Sequence, residues 1–481
     1  MQVTFIGAGS AVFTNNLTAD IMSCPALTED LTISLMDVDA KALRLAEQVV
    51  KSIAATLNVN VKVKATTDRR KALAGSDFVI VTIRARGLGA LESLRGIPQR
   101  YGLQQTVADT VGIGGIFYGL RHMPILLSIA RDVEELCPDA WILNYANPMA
   151  MNTLALVRGT RAKVVGLCHS VQSTTWRLRL FASLGRLSAR ASRDLLGSNP
   201  YPMHWPHQPP AVEQFMKSDR MIPEDQWHVE VAGINHFAAF LKLQWQGQDA
   251  YPLLEKAAAR EEISRLEPTR FEMFRRLGYF ITESSQHLSE YVPYFMHHPD
   301  EVRRMMIHKR PGPMKETSHD YRKEYQRLMR KGESVIDPGR PAVTIEYAWR
   351  IIRSIYTGEP DMINGNVHNR GGQVIPNLPG DCCVEVPCLI DRNGVQPKAC
   401  APLPAQLAAI LRTNINVQDL AVRAVLEEDR RSVYHAAMMD PNTAATLTLP
   451  QIWSLVDELL ALFRREIPAG LARRRPMSAR D

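Results

Sequence analysis

The sequence predicts an α/β protein: a doubly wound parallel sheet comes first, followed by a mixed α/β (α+β) C-terminal domain. Three observations lead there. From residue 2 to Gly166, short apolar runs alternate with stretches of helical spacing. The first run ends in a glycine turn that opens a helix, and the second ends in an acid. Alternation of this kind builds a parallel sheet with helices on both faces.

The elements follow in order. "QVTFIGAGS" is a strand that runs into Gly7, Gly9 and Ser10, and "AVFTNNLTADIMS" has helical spacing behind it. Glycine is needed where backbone passes close to a pyrophosphate, and the helix N-terminus supplies N–H groups and positive dipole to it. Val12 stands where a third glycine would complete GxGxxG, so the turn alone also fits an α/β domain without a nucleotide. The next strand, "LTISLMDVD", ends in Asp37, 28 residues after Gly9. An acid at that tip can bind the ribose hydroxyls of NAD and would repel a 2′-phosphate. "VKVKATTD", "SDFVIVTI" and "AWILNYANP" continue the strands of a Rossmann-like sheet.

Ligands of such sheets collect at the carboxyl ends of the strands. Three polar clusters fall there: "TIRARG", "NYANPM" and "GLCHS". Pro148 forces Asn147 out of helical geometry and can aim its amide into the crevice. "GLCHS" sets Cys168 beside His169, and "VAGINHFAAFLKL" ends a strand-like run at Asn235 and His236. A thiolate and a neutral imidazole suit a borderline first-row cation, and two protein ligands leave positions open for a substrate. The plainer reading is a buried thiol next to a surface histidine. Cys382 and Cys383 are neighbours in extended chain and point opposite ways, so they read as strand residues.

Composition bounds the rest. The chain has 481 residues, 46% hydrophobic and 22% charged, enough for two or three cores. "MQVTFIGAG" has no signal-peptide pattern, and no apolar run reaches the ~18 residues of a membrane span. Seven scattered cysteines read as reduced thiols in a cytoplasm. The net charge of +7 gathers at 177–193 and in the tail, without the interleaved aromatics of a nucleic-acid site. Solvated helix faces and a frayed tail are expected there, with neither nucleic acid nor membrane as partner.

Together with "FIGAGS", "MDVD", "ADTVGIGGI", "LNYANPMAMNT", "LGYFITESSQHLSEY", "GEPDMINGNVHN" and "PGDCCVEVPCLID", these segments resemble glycoside hydrolase family 4. The resemblance runs in order along nearly the whole chain, and C-H-S-V is the form found in the family's α-galactosidases. Such a protein is expected to need NAD and Mn2+ and to cleave terminal α-galactosides by elimination. The sugar is oxidised at C3, loses its C2 proton and its aglycone, adds water and is re-reduced. This family is an exception to glycosidases that use two carboxylates.

By resemblance, Cys168 and His236 hold the metal, Asn147 contacts the sugar or the metal, and Gly7, Gly9, Ser10 and Asp37 bind NAD. His169 protonates the leaving group or merely orients the cysteine loop. Tyr279 is the first choice for the C2 base, with Glu283 and His287 as alternatives, and Asp109 would raise its basicity. The NAD-binding domain is expected over residues 1–170, and a substrate, metal and oligomerisation domain over 171–481. A homodimer or homotetramer is implied. An unusual insertion near 177–225 separates Cys168 from His236, and its "LLGSNPYPMHWPHQPP" reads as a loop. Rival readings are an α-galacturonidase or α-glucuronidase of the same family, or a lactate/malate-type dehydrogenase using Arg84 or Arg86.

Overall fold

The computed structural model describes residues 1–85, 87–197, 210–305, 314–336 and 343–473. Arg86, most of the proline-rich stretch at 195–210 and the end of the basic tail lie outside the described residues.

Six strands form the expected parallel sheet: β1 (Gln2–Ile6), β2 (Thr32–Met36), β3 (Lys62–Thr66), β4 (Phe78–Val81), β5 (Trp141–Asn144) and β6 (Lys163–Gly166). Their order is β3-β2-β1-β4-β5-β6, every neighbouring pair parallel. The order reverses between β1 and β4, and the crevice at such a switch point is where ligands of open α/β sheets bind. Side chains of successive strand residues feed two different layers. Phe5 and Ile80 join one core with Leu17 and Val50, whereas Ile6, Val79 and Val81 join another with Leu126 and Ile129. Burial on both faces explains why these strands read as unbroken apolar runs.

Six further strands continue the same sheet: β7 (Trp227–Ile234), β8 (Phe237–Trp245), β9 (Gln248–Asp249), β10 (Asp361–His368), β11 (Cys383–Asp391) and β12 (Gly394–Pro397). Past β6 the order runs β10-β11-β7-β8-β9, with β12 on β11, and each of these pairings is antiparallel. The junction is narrow. Asn366 on β10 stands opposite Gly166 on β6 and donates to its carbonyl at 3.3 Å. The predicted fold class is therefore observed, with its parallel and antiparallel parts sharing one sheet.

The described residues between Cys168 and β7 are packed. Leu178, Phe181, Leu196, Val212 and Phe215, on the helices Ser170–Gly185, Ala189–Leu196 and Pro210–Met216, share a core with Phe240, Phe271 and Phe280. Part of the arginine run also turns inward, contrary to the expected solvated face: Arg177 pairs with Glu267, and Arg179 with Glu224 at 2.9 Å. On the helices Arg430–Met439 and Leu449–Leu462, Val433, Tyr434, Ile452 and Leu459 pack with Phe117 and Leu120, so one face of each helix belongs to the core. Phe117 and Leu120 belong to Gly112–Leu136, a helix long and apolar enough to cross a membrane by length and composition. Of its qualifying window, 83% is buried inside the protein, so its hydrophobicity is spent on the core.

Candidate active site

Two centres lie at the carboxyl ends of the parallel strands, one made of backbone and one of side chains. The first is the turn after β1. Gly7 has φ +93°, and a Cβ there would meet the backbone nitrogen of Ile83 at 2.9 Å. A Cβ on Gly9 would come within 2.7 Å of Asp37 Oδ2. Both positions need glycine because neighbouring chain already fills the space. The Gly9 N–H donates to Asp37 Oδ2 at 2.8 Å and the Asp39 N–H to Oδ1 at 2.9 Å, so Asp37 holds the turn closed. Ser10 is the N-cap of the helix Ala11–Met22, and its side chain makes no capping bond, which leaves the helix N-terminus open to an anion. Arg322 reaches in from a distant helix and donates to the Gly9 carbonyl at 2.7 Å. It belongs to no motif, so nothing in the sequence marked it.

The second centre gathers three segments. Cys168 follows β6, His236 sits at φ +63° in the turn between β7 and β8, and Glu283 stands at φ +75° before the helix Ser285–Tyr291. Cys168 Sγ and His236 Nε2 are 3.2 Å apart, and Glu283 Oε2 is 3.7 Å from the same nitrogen. One donor atom from each of the three lies within 4.8 Å of the others. The ring of His287 lies 4.6 Å from that of His236, with its Nε2 3.8 Å from Glu283 Oε1 and its Nδ1 3.5 Å from Thr110 Oγ1.

The electrostatics of this centre follow from burial and pairing. Burial pushes the Cys168 thiol up to about 12, against the pull of His169. Burial also opposes the charge of Glu283, but His236, His287 and His169 outweigh it and hold the carboxyl down at about 2. For His169, desolvation works against the imidazolium, yet Glu346 Oε1 at 3.2 Å from Nδ1 lifts the pKa well above its ordinary value. His169 keeps 48% of its side chain exposed, so it faces the crevice while Glu346 holds it from behind. Glu385, fully buried on β11, is pushed up to about 8 by burial, with His236 pulling it back.

The predicted residues divide between these centres. Gly7, Gly9, Ser10 and Asp37 share the turn, and Cys168, His169 and His236 share the side-chain centre. Asn147 is half-buried and precedes a cis bond to Pro148, at the head of the helix Met149–Gly159. Asp109 has a buried Oδ1 without a hydrogen-bond partner, and its neighbour Thr110 is the residue that meets His287. Tyr279 stands elsewhere. It follows Gly278, the left-handed cap of the helix Pro268–Leu277, and lines a surface cavity with Lys242, Tyr251 and Gln406. Its ring packs edge-on to Tyr251 at 6.2 Å.

Glu346 and Glu385 were missed from the sequence because each acts through a contact between distant segments. A half-buried chain of bonds runs from the helix after the glycine turn to His169. Asp20, on the helix after the glycine turn, accepts from Thr344 N and Oγ1, both at 2.6 Å. The Thr344 hydroxyl in turn accepts from the Glu346 N–H at 3.2 Å, and Glu346 holds His169.

Known proteins match this chain along its length. The sequence profile described as "Family 4 glycosyl hydrolase" matches residues 2–183, and that of the "Family 4 glycosyl hydrolase C-terminal domain" matches 231–443. An α-galactosidase of Bacillus subtilis is 36% identical over 466 residues, covering 96% of this chain and 97% of its own. An α-galactosidase of Rhizobium meliloti is 32% identical, covering 97% and 89%. A 6-phospho-α-glucosidase from gut microorganisms, solved in complex with NAD and Mn2+, has the same fold. Its TM-score is 0.74 at 19% identity, over 97% of this chain and 99% of that one.

Proposed function

The chain belongs to family 4 of the glycosyl hydrolases, and from that premise we propose that it is an α-galactosidase using NAD and Mn2+. The single observation that carries the reading is the approach of Cys168 Sγ to His236 Nε2 at 3.2 Å, at the end of β6 and beside the nucleotide crevice.

The residues fit both cofactors. A thiol and an imidazole nitrogen 3.2 Å apart are a donor pair for a borderline divalent ion. A cation there reverses the effect of burial on Cys168, because the positive charge stabilises thiolate over thiol. Cys168 and His236 would hold the metal. For NAD, the fit lies in the close-packed Gly7 and Gly9, the uncapped helix at Ser10 and the acid Asp37. When bound, NAD supplies reversible hydride abstraction at C3 of the sugar, and Mn2+ supplies positive charge beside the oxygens of the oxidised ring.

The chain's own groups do the rest. Asn147 offers an amide to sugar hydroxyls at the crevice edge. His287, one of the alternatives for the C2 base, keeps its ring against the centre, and a neutral imidazole is a competent base near neutrality. Asp109 is the neighbour of Thr110, which meets His287, and its partnerless buried Oδ1 is available to polarise the base. His169, charged through Glu346, donates a proton to the departing aglycone oxygen. Among the described residues, Arg177 and Arg270 are both paired with Glu267 and so are not free to meet a uronate carboxylate, which favours a neutral galactoside. All seven cysteines are free, which fits a reducing compartment, and we assign the enzyme to the cytoplasm as a homodimer or homotetramer.

The test is release of nitrophenol from p-nitrophenyl α-galactoside, with NAD+, Mn2+ and a thiol reductant omitted in turn. Turnover that needs all three without net NADH is expected. Turnover without NAD+ or metal contradicts the proposal, and turnover confined to α-galacturonides moves it to the uronide reading.

A further inference from the structure

We propose that Glu283 is a third protein ligand of the divalent metal, completing a Cys168–His236–Glu283 site; the assignment rests on the metal-dependent reading above. Metal–ligand lengths of about 2.0–2.3 Å put ligand atoms on neighbouring vertices about 3–4 Å apart. The Cys168–His236 and His236–Glu283 separations, 3.2 and 3.7 Å, are of that size. The third edge closes within 4.8 Å.

The surrounding chain holds this one residue in place. Arg270, fully buried, donates to the Ile281 carbonyl through Nε at 3.0 Å and Nη2 at 2.8 Å. The Thr282 N–H donates to the Ala238 carbonyl, and the Ala238 N–H to Thr282 Oγ1. Ser284 caps the next helix by accepting from the His287 N–H. Glu267, itself paired with Arg177 and Arg270, accepts from both the N–H and the hydroxyl of Ser285. Every neighbour from 281 to 285 is therefore fixed, and Glu283 lies between them in the left-handed region, where a residue with a Cβ is uncommon. His236, its opposite number, is held at positive φ as well. Two strained residues from separate segments converge on one thiol, which is the arrangement expected when a ligand set is built before the ion arrives. A carboxylate also adds a second negative charge to the thiolate, so the site matches the charge of a divalent cation more closely than Cys168 and His236 alone.

The test uses the full chain stripped of metal by chelator, without NAD or sugar. Mn2+ uptake is read from the electron paramagnetic resonance signal of the free ion, and Co2+ uptake from its visible absorption. Glu283→Gln is expected to raise the Kd for Mn2+ at least about tenfold and to change the Co2+ d–d bands. Glu283→Asp should bind more tightly than Glu283→Gln. NAD affinity, measured on the same samples, should match the parent protein and reports that the variants fold. If Glu283→Gln fails that check, the Co2+ spectrum of Glu283→Asp decides, since a group outside the coordination sphere leaves it unchanged. Smaller losses of affinity or an unaltered Co2+ spectrum overturn the assignment of Glu283. A parent protein that takes up neither ion overturns the metal-dependent reading as a whole.

Discussion

The glycine turn and the Cys168 centre sit at the same edge of one sheet but are built by opposite means. The turn is local backbone: Gly7, Gly9 and Asp37 come from two adjacent strands, and its contacts are N–H groups and close-packed chain. The Cys168 centre is side chains from three separate segments, with Cys168 and His236 68 residues apart in the chain. It holds its charges through buried pairs instead of through backbone. A site of the first kind, Asp37 apart, rests on few side chains and fails when a Cβ intrudes. A site of the second kind tolerates change in backbone neighbours and fails when one donor atom is lost.

That contrast is sharpened first by Cys168→Ser. Replacing the thiol with a poorly coordinating hydroxyl should lower kcat on an α-galactoside by at least about 10³-fold, the scale of charge stabilisation at a reacting centre. NAD affinity, measured by fluorescence titration, should stay within about twofold if the two centres are built independently. A parallel loss of NAD binding would break the comparison.

The converse variant is Gly9→Ala. Its Cβ would enter the space held by Asp37 Oδ2 and the Ala42 side chain. Overpacking of this sort costs about 1–3 kcal/mol, so NAD affinity should drop about 10- to 100-fold while Mn2+ uptake is unchanged.

Glu346→Gln probes the seam between the centres. The amide keeps the shape but no longer favours the imidazolium of His169. Loss of a general acid should cost about 10²-fold on an alkyl galactoside such as melibiose. It should cost far less on p-nitrophenyl galactoside, whose leaving group needs no proton. Equal losses on both substrates would assign Glu346 a structural role only.

The smallest effect concerns Asp20, which burial pushes up to about 7, against the bonds from Thr344. A carboxyl whose pKa is raised on folding contributes most below its ordinary pKa near 4, and that contribution is lost as pH rises through 7. Asp20→Asn should therefore flatten the fall in Tm between about pH 4 and pH 7. An unchanged slope would mean that Asp20 is ionised throughout.

How much of this was legible follows from the same contrast. Most of the parallel strands announced themselves because they are short apolar runs buried on both faces, β3 with its exposed lysines being the exception, and the glycine turn because its residues are contiguous. Cys168 and His236 could be paired on paper because both end strand-like runs and the family resemblance joins them. Glu346, Glu385 and Arg322 could not, since each matters only through contact with a segment far away in sequence. Tyr279 shares a quoted stretch with Glu283, yet its ring packs on Tyr251 beyond the cap at Gly278 while Glu283 meets His236, a division that nothing in the stretch itself marks. The long helix Gly112–Leu136 was hard to see because glycines and a histidine interrupt its apolar residues, although most of its surface is core.

The central claim is that the glycosidic bond breaks by elimination after a C2 proton is removed, and isotope exchange tests it most directly. Hydrolysis of an α-galactoside in D2O, with NAD+ and Mn2+ present, should give galactose carrying deuterium at C2, seen by proton NMR as loss of the C2 signal. Galactose that keeps its full C2 proton signal, at turnover rates equal to those in H2O, would contradict the account.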